Sequence, residues 1–144
     1  MLDSRPTRSN ELPHLEALLK ANKLCFNDLE SQGVELFSVT KEDTLVGYFG
    51  YEVFGDNALF RSFIVVPEQR TKNYGNLMWE MARKQLKESG VKHIYLLTNT
   101  ATEFFMKVGY KSFERTKVPD AIAQTSEFTT FCPTDSVCMR YEIE

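Results

Sequence analysis

Phe63-Ile64-Val65-Val66-Pro67-Glu68-Gln69-Arg70-Thr71-Lys72-Asn73-Tyr74-Gly75 is the stretch on which the reading of this chain turns. Four apolar residues in succession, Phe63 to Val66, predict a strand covered on both faces. Pro67 to Asn73 is polar. Beyond Gly75, the residues Leu77, Met78, Met81, Ala82 and Leu86 recur at helical spacing up to about Ser89, with Gly90 as the stop. A strand, a polar turn and a helix start in that order suit an anion, because the first amide hydrogens of a helix lack partners and carry partial positive charge. Arg70 and Lys72 add cations to the same turn, and Gly75 lets backbone and ligand approach closely. A pyrophosphate fits both features.

Upstream, Asp3 to Pro6 reads as an edge strand. Ser9 or Asn10 then caps a helix that tolerates Pro13 in its first turn and aligns Leu12, Leu15, Leu18 and Leu19 on one face. Ala21 to Gly33 is irregular, with Leu24, Phe26 and Leu29 embedded. Leu36 to Thr40, Thr44 to Phe54 and Ala58 to Val66 form a meander, its turns at Lys41-Glu42-Asp43 and Gly55-Asp56-Asn57. Downstream come a strand at His93 to Leu97, a short helix at Thr100 to Val108 stopped by Gly109, and a strand at Tyr110 to Phe113. A turn of helix after Pro119 and a closing strand near Val137 to Tyr141 complete the order. The expected fold is α+β in three layers: a mixed, mostly antiparallel sheet of six to seven strands with helices on both faces.

The length of 144 residues suits one domain, expected over 1–144. A net charge of −3 without a basic run argues against nucleic acid and anionic membranes as partners. No apolar run is long enough for a membrane span, and Asp3 and Arg5 interrupt any leader-like start, so a cytoplasmic location is expected. Cys25, Cys132 and Cys138 lack disulfide-scaffold or zinc spacing; free thiols and no metal are expected.

The opening stretch resembles the acetyl-CoA motif of the GNAT N-acetyltransferases: an apolar strand, Pro, two residues, then Arg/Gln-x-x-Gly-x-Gly/Ala opening a helix. Arg70 and Gly75 match; Asn73 replaces the first glycine, and Thr71 stands where a further glycine is common. Ala101-Thr102-Glu103-Phe104-Phe105-Met106-Lys107-Val108-Gly109-Tyr110 resembles the family's later Ala-x-x-Phe-Tyr-x-x-x-Gly-Phe segment. Leu96-Leu97-Thr98-Asn99-Thr100, Val118-Pro119 and Ser136-Val137-Cys138-Met139 look like the amino-acid N-acetyltransferase branch. The tail Glu127-Phe128 … Cys132-Pro133-Thr134-Asp135-Ser136 looks like acetyltransferases associated with arsenic-resistance operons.

The resemblance implies transfer of an acetyl group from acetyl-CoA to the primary amine of a small molecule, an amino acid or similar compound, by direct attack. A weak acyl-CoA-binding module and a protein or peptide N-acetyltransferase stay open as alternatives. Small members of the family often form homodimers. The residues implied to hold the cofactor are Phe63, Ile64, Val65, Arg70, Thr71, Lys72, Asn73, Tyr74, Gly75, Asn76, Thr98 and Phe105, with the backbone amide near Val65 polarising the thioester carbonyl. Phe105 stands where many members have a tyrosine acid, so that role is vacant or moved, with Tyr74, Tyr110 and Tyr141 as substitutes. Glu52 is the first choice of base and Glu103 the second, because a carboxylate among apolar strand residues has its pKa raised. Arg61, beside Ser62, either clamps a substrate carboxylate or pairs with Glu52 across the hairpin, and Phe128, which with Phe131 and Tyr141 most simply closes the core, is the candidate for the acceptor wall.

Overall fold

The computed structural model describes residues 1–24, 26, 28–131 and 136–143, with only the backbone described at 130 and 131. The chain runs through β1 (Asp3–Pro6), α1 (Leu12–Ala21), β2 (Glu35–Lys41), β3 (Thr44–Phe54), β4 (Asn57–Val65), α2 (Tyr74–Glu88), β5 (His93–Thr98), α3 (Thr102–Val108), β6 (Lys111–Ser112), α4 (Asp120–Ala123) and β7 (Val137–Glu142). The seven strands form one sheet in the order β1-β2-β3-β4-β5-β7-β6. Only the β4–β5 pairing is parallel.

Alternation along the strands sorts side chains to two faces. Phe49, Tyr51, Phe60, Ile94, Leu96 and Met139 pack with Met78, Trp79, Ala82 and Leu86 of α2 and Phe105 of α3. On the opposite face, Tyr48 and Ile64 meet Leu15 and Leu19 of α1, while Leu59, Tyr95 and Cys138 meet Ile122 of α4 and Phe128. Helices therefore cover both faces. The α2 stripe differs from expectation at its edge: Trp79 is fully buried and Leu77 is exposed, since Leu77 lies about 100° around the helix from Met78.

Both meander turns contain two residues: Glu42-Asp43 between Lys41 and Thr44, and Gly55-Asp56 between Phe54 and Asn57. Asn57, expected in the second turn, opens β4 instead. Tyr110, expected in a strand, turns into the core against Trp79 and Phe105, which shortens β6 to two residues. The short helix begins at Thr102 rather than Thr100 because Ala101 has a non-helical backbone, and its amide donates a hydrogen bond to Thr98 Oγ1.

Two features of β4 determine the shape of the sheet near its C-terminal end. Gly47 pairs with Val65 and Tyr48 with Ile64, yet Gly50 pairs with Arg61, so β4 carries one residue more than β3 between these points. Ser62, at φ 56°, lies in this bulge. The extra residue switches parity, placing both Phe60 and Phe63 toward α2 and both Arg61 and Ile64 away from it. Second, β4 and β5 pair only at Asn57–His93, Ala58–Ile94 and Leu59–Tyr95. Beyond Leu59 the two strands part.

Candidate active site

The parted strands open a cavity of about 330 Å³ lined by Phe60 to Val65 on one side and Leu96, Leu97 and Thr98 on the other. Phe104 and Phe105 of α3 line it as well, as do Arg70 and Gly75. A second cavity continues from Val65, Arg70, Gly75 and Phe104 over Thr71, Asn73, Tyr74 and Asn76 at the start of α2. Of the twelve residues expected around a cofactor, all except Lys72 line one of these two adjoining spaces. Lys72 instead reaches Gln69 Oε1, at 3.2 Å.

The backbone explains why this region remains open. Successive N–H groups of a strand point to opposite edges. Val66 N–H donates to Val46 O on β3, so the Val65 N–H faces the gap. The Val65 carbonyl accepts from Arg70 Nε at 3.0 Å, which folds the arginine against the strand end. The turn before α2 has the left-handed geometry that glycines usually supply: Asn73 sits at φ 61° and Thr71 at φ 74°. Asparagine adopts this region readily, whereas a β-branched threonine is strained there. Asn73 caps α2 and accepts a 2.5 Å bond from Asn76 Nδ2. A Cβ on Gly75 would come within 3.3 Å of the Phe104 ring, narrowing the passage between the two cavities.

At the inner end of the first cavity lies a cluster of charges. Among the described residues, every buried Asp, Glu, Lys or Arg belongs to it: Asp28, Glu52, Arg61 and Glu127. Both terminal nitrogens of Arg61 donate to the two carboxylate oxygens of Asp28, one of them at 2.6 Å. Arg61 Nη1 also donates to Glu52 Oε2 at 3.2 Å, and Nε donates to Ser62 Oγ at 3.2 Å. Burial works against the Arg61 charge, but the hydrogen bonds to Asp28 and the charges of Glu127, Asp28 and Glu52 outweigh it and raise its pKa. Glu52 pairs with Arg61 because the hairpin register puts them diagonally on one face.

These contacts decide between the two readings of Arg61. Its fork is occupied by Asp28 and Glu52, so the pairing across the hairpin is the one formed. Glu52 is buried, and burial raises its pKa as expected, but it stands behind Arg61 and does not line the cavity. Phe128 likewise lies off the cavity wall, packed in the core beneath the Arg115 guanidinium at 5.4 Å. Tyr110 is wholly buried and Tyr141 packs against it; neither lines the cavity, while Tyr74 lines only its outer continuation. Glu103 also lies at that outer end. Cys138 is a buried free thiol pushed up to about 11 by burial; Cys25 and Cys132 fall outside the described residues.

Two members of the cluster were not singled out from sequence. Asp28 sits in the irregular segment after α1, where no periodicity signals burial. Glu127 opens a π-helical turn, Glu127–Phe131, and lines the cavity. It is the only charged residue between Asp120 and Asp135 and opens the tail quoted above for its resemblance, but neither feature signals burial. Its Oε2 is buried with no hydrogen-bond partner among the described residues. Burial raises its pKa to about 7, against the opposing pull of Arg61.

No helix among the described residues is long and apolar enough to cross a membrane, and no group of three or more metal-ligating side chains occurs among them. The fold is shared with N-acetylglutamate synthase of Neisseria gonorrhoeae, solved with coenzyme A and L-arginine: TM-score 0.81, 16% identity, 99% of this chain and 33% of that one. A Mycobacterium tuberculosis protein solved with coenzyme A superposes with TM-score 0.77 at 17% identity over 99% of both chains. The ribosomal-protein-S18-alanine N-acetyltransferase of Escherichia coli gives 0.69 at 17% identity over 100% of this chain and 95% of its own. In sequence, an uncharacterised N-acetyltransferase of Chlorobaculum tepidum is 36% identical over 81 residues, 56% of this chain; the match spans half of that relative's length. A profile of the acetyltransferase (GNAT) domain matches residues 32–112, more than half of the chain, from β2 through the splayed strands and the turn before α2 to β6, and on that match the chain belongs to the GNAT acetyltransferase family.

Proposed function

We propose that this chain is an acetyl-CoA-dependent N-acetyltransferase acting on the primary amine of a small molecule. The observation that carries the reading is the continuity of the two cavities: a helix start with left-handed turn residues opens directly onto a strand edge whose Val65 N–H is unpaired by β3. A diphosphate is stabilised at the first site by free amide hydrogens and by Arg70. An extended acyl-bearing arm then runs between β4 and β5, where Val65 N–H donates to the thioester carbonyl and favours the charge that develops on its oxygen. Phe104 and Phe105 give this segment an apolar wall that excludes water. The hydroxyls lining the cavity are those of Ser62, Thr98 and Thr100, so proton delivery to the leaving thiolate proceeds without a tyrosine of the cavity wall.

An amino-acid acceptor is what the resemblance implies, and Arg61 as a carboxylate clamp would have supported it. With that guanidinium held by Asp28 and Glu52, this support is gone, while the small size of the cavity supports a small amine. Thermal denaturation with CoA, acetyl-CoA and an unrelated adenine nucleotide tests the binding step. CoA and acetyl-CoA are expected to raise the melting temperature while the nucleotide leaves it unchanged. Thiol release in the presence of small primary amines then tests transfer. Binding without release from any amine would favour the alternative of a non-catalytic acyl-CoA-binding module.

A further inference from the structure

The charge cluster at and behind the cavity wall holds more carboxylates than guanidinium groups. Three buried carboxylates, those of Asp28, Glu52 and Glu127, surround one buried guanidinium. Asp28 and Glu52 are hydrogen-bonded to Arg61, but Glu127 Oε2 has no partner among the described residues and is one of the cavity-lining groups. A carboxylate that is 6% exposed, with one oxygen lacking a hydrogen-bond partner among the described residues, is costly to keep ionised unless something pairs with it in the working state. It is carried on a π-helical turn, a local irregularity that re-aims a side chain and recurs at functional sites. The missing partner is cationic, because Arg61 is already shared and a fourth carboxylate would add to an unbalanced set.

We propose that Glu127 receives the ammonium group of the acceptor and takes its proton, and that the acceptor is a small cationic amine with no carboxylate beside the reacting nitrogen. This rests on the acyl-transfer reading above. In the step, the ammonium gives one proton to Glu127 Oε2, directly or through one water, and the neutral nitrogen attacks the thioester carbon. The C–N bond forms and the C–S bond breaks. A second proton leaves the nitrogen and ends on the departing thiolate, and Glu127 returns its proton to solvent.

The groups that set the proton affinity of Glu127 lie on several elements. Arg61 on β4 lowers it; Asp28 before β2 and Glu52 on β3 raise it; burial raises it most. Arg115 engages the neighbouring residue, donating to Phe128 O at 2.9 Å, and Cys138 of β7 shares the Phe128 cluster. At about 7 the carboxyl group is poised to change state near neutrality.

The test compares matched pairs in the wild-type protein: agmatine against arginine, histamine against histidine, putrescine against ornithine, tryptamine against tryptophan, with thiol release as readout. At least one amine is expected to exceed its amino acid by roughly tenfold or more in kcat/KM. With that amine, kcat/KM is expected to rise with pH through about 7, and Glu127→Gln is expected to lower kcat roughly 100-fold and to abolish that limb while acetyl-CoA affinity by calorimetry is unchanged. Glu127→Asp should recover part of the rate. Amino acids outrunning their amines, no turnover of any pair, or a Glu127→Gln enzyme that keeps both rate and pH limb overturns the inference. Failure of acetyl-CoA to bind overturns the acyl-transfer reading itself. The substrate pairs need no variant, so a misfolded Glu127→Gln leaves the inference open to refutation.

Discussion

Two of the places where an arginine meets carboxylates among the described residues are built to opposite rules. At the sheet edge, Glu11 accepts from both terminal nitrogens of Arg5, at 2.5 and 3.0 Å, from the Arg8 backbone at 2.9 Å and from Ser38 Oγ at 3.2 Å. One carboxylate there has four donors. At the inner end of the cavity, one guanidinium serves two carboxylates and influences a third that has no donor among the described residues. The first arrangement drives the pKa of Glu11 down to about 2, chiefly through the Arg5 hydrogen bonds; the second lets burial drive Glu127 up to about 7. A fully satisfied carboxylate fastens the first helix to the sheet, whereas an unsatisfied one is held in reserve for a ligand.

The largest effect that can break this contrast is removal of the central cation. Arg61→Met should destabilise the protein by about 3–5 kcal/mol in urea unfolding at pH 7, because it leaves buried carboxylates without a counter-charge. If the loss is small, the cluster is better hydrated than its burial indicates. Next in size is Glu127→Gln, with the opposite sign. The folded protein holds the Glu127 proton to about 7, against an ordinary value of 4.5, so stability is lost as pH rises between these values and stays lower above them. The variant should therefore match wild type in melting temperature near pH 4 and exceed it at pH 8, by at most about 3 kcal/mol. A variant less stable at pH 8 would show that the Glu127 carboxylate is well accommodated rather than strained. The smallest effect belongs to Glu11→Gln. Glu11 contributes stability above its ordinary value of 4.5, lost as pH falls toward about 2, so the variant should be less stable at pH 7 and equal to wild type near pH 2. Because this pair is partly exposed, its contribution should fade in added salt.

The same contrast shows what can be read from sequence alone. The hairpin turn at Gly55-Asp56 fixes register, and register brings Glu52 and Arg61 within reach, so that half of the inner cluster was legible. Arg70, Asn73 and Gly75 were legible because their order along the chain is their order around the turn. Asp28 and Glu127 were not. Each sits in an aperiodic segment, and their burial is created by tertiary packing against β4 rather than by any local pattern. The bulge at Ser62 was equally hidden, since it is defined only by the register of β3 against β4. Glu52 was correctly placed as a buried strand carboxylate, but its position behind Arg61 depends on Asp28 and could not be inferred without it.

The three residue pairs that join β4 to β5 have a mechanical consequence. They act as the spring of a clothes-peg whose jaws are the β1–β4 sheet and the smaller β5–β7–β6 sheet. Past Leu59 the facing edges lack rungs, and a molecule lying between them that bonds to Val65 supplies one. A ligand bound as proposed would thus complete part of the sheet, and amide exchange along the open edges should slow when the jaws are bridged.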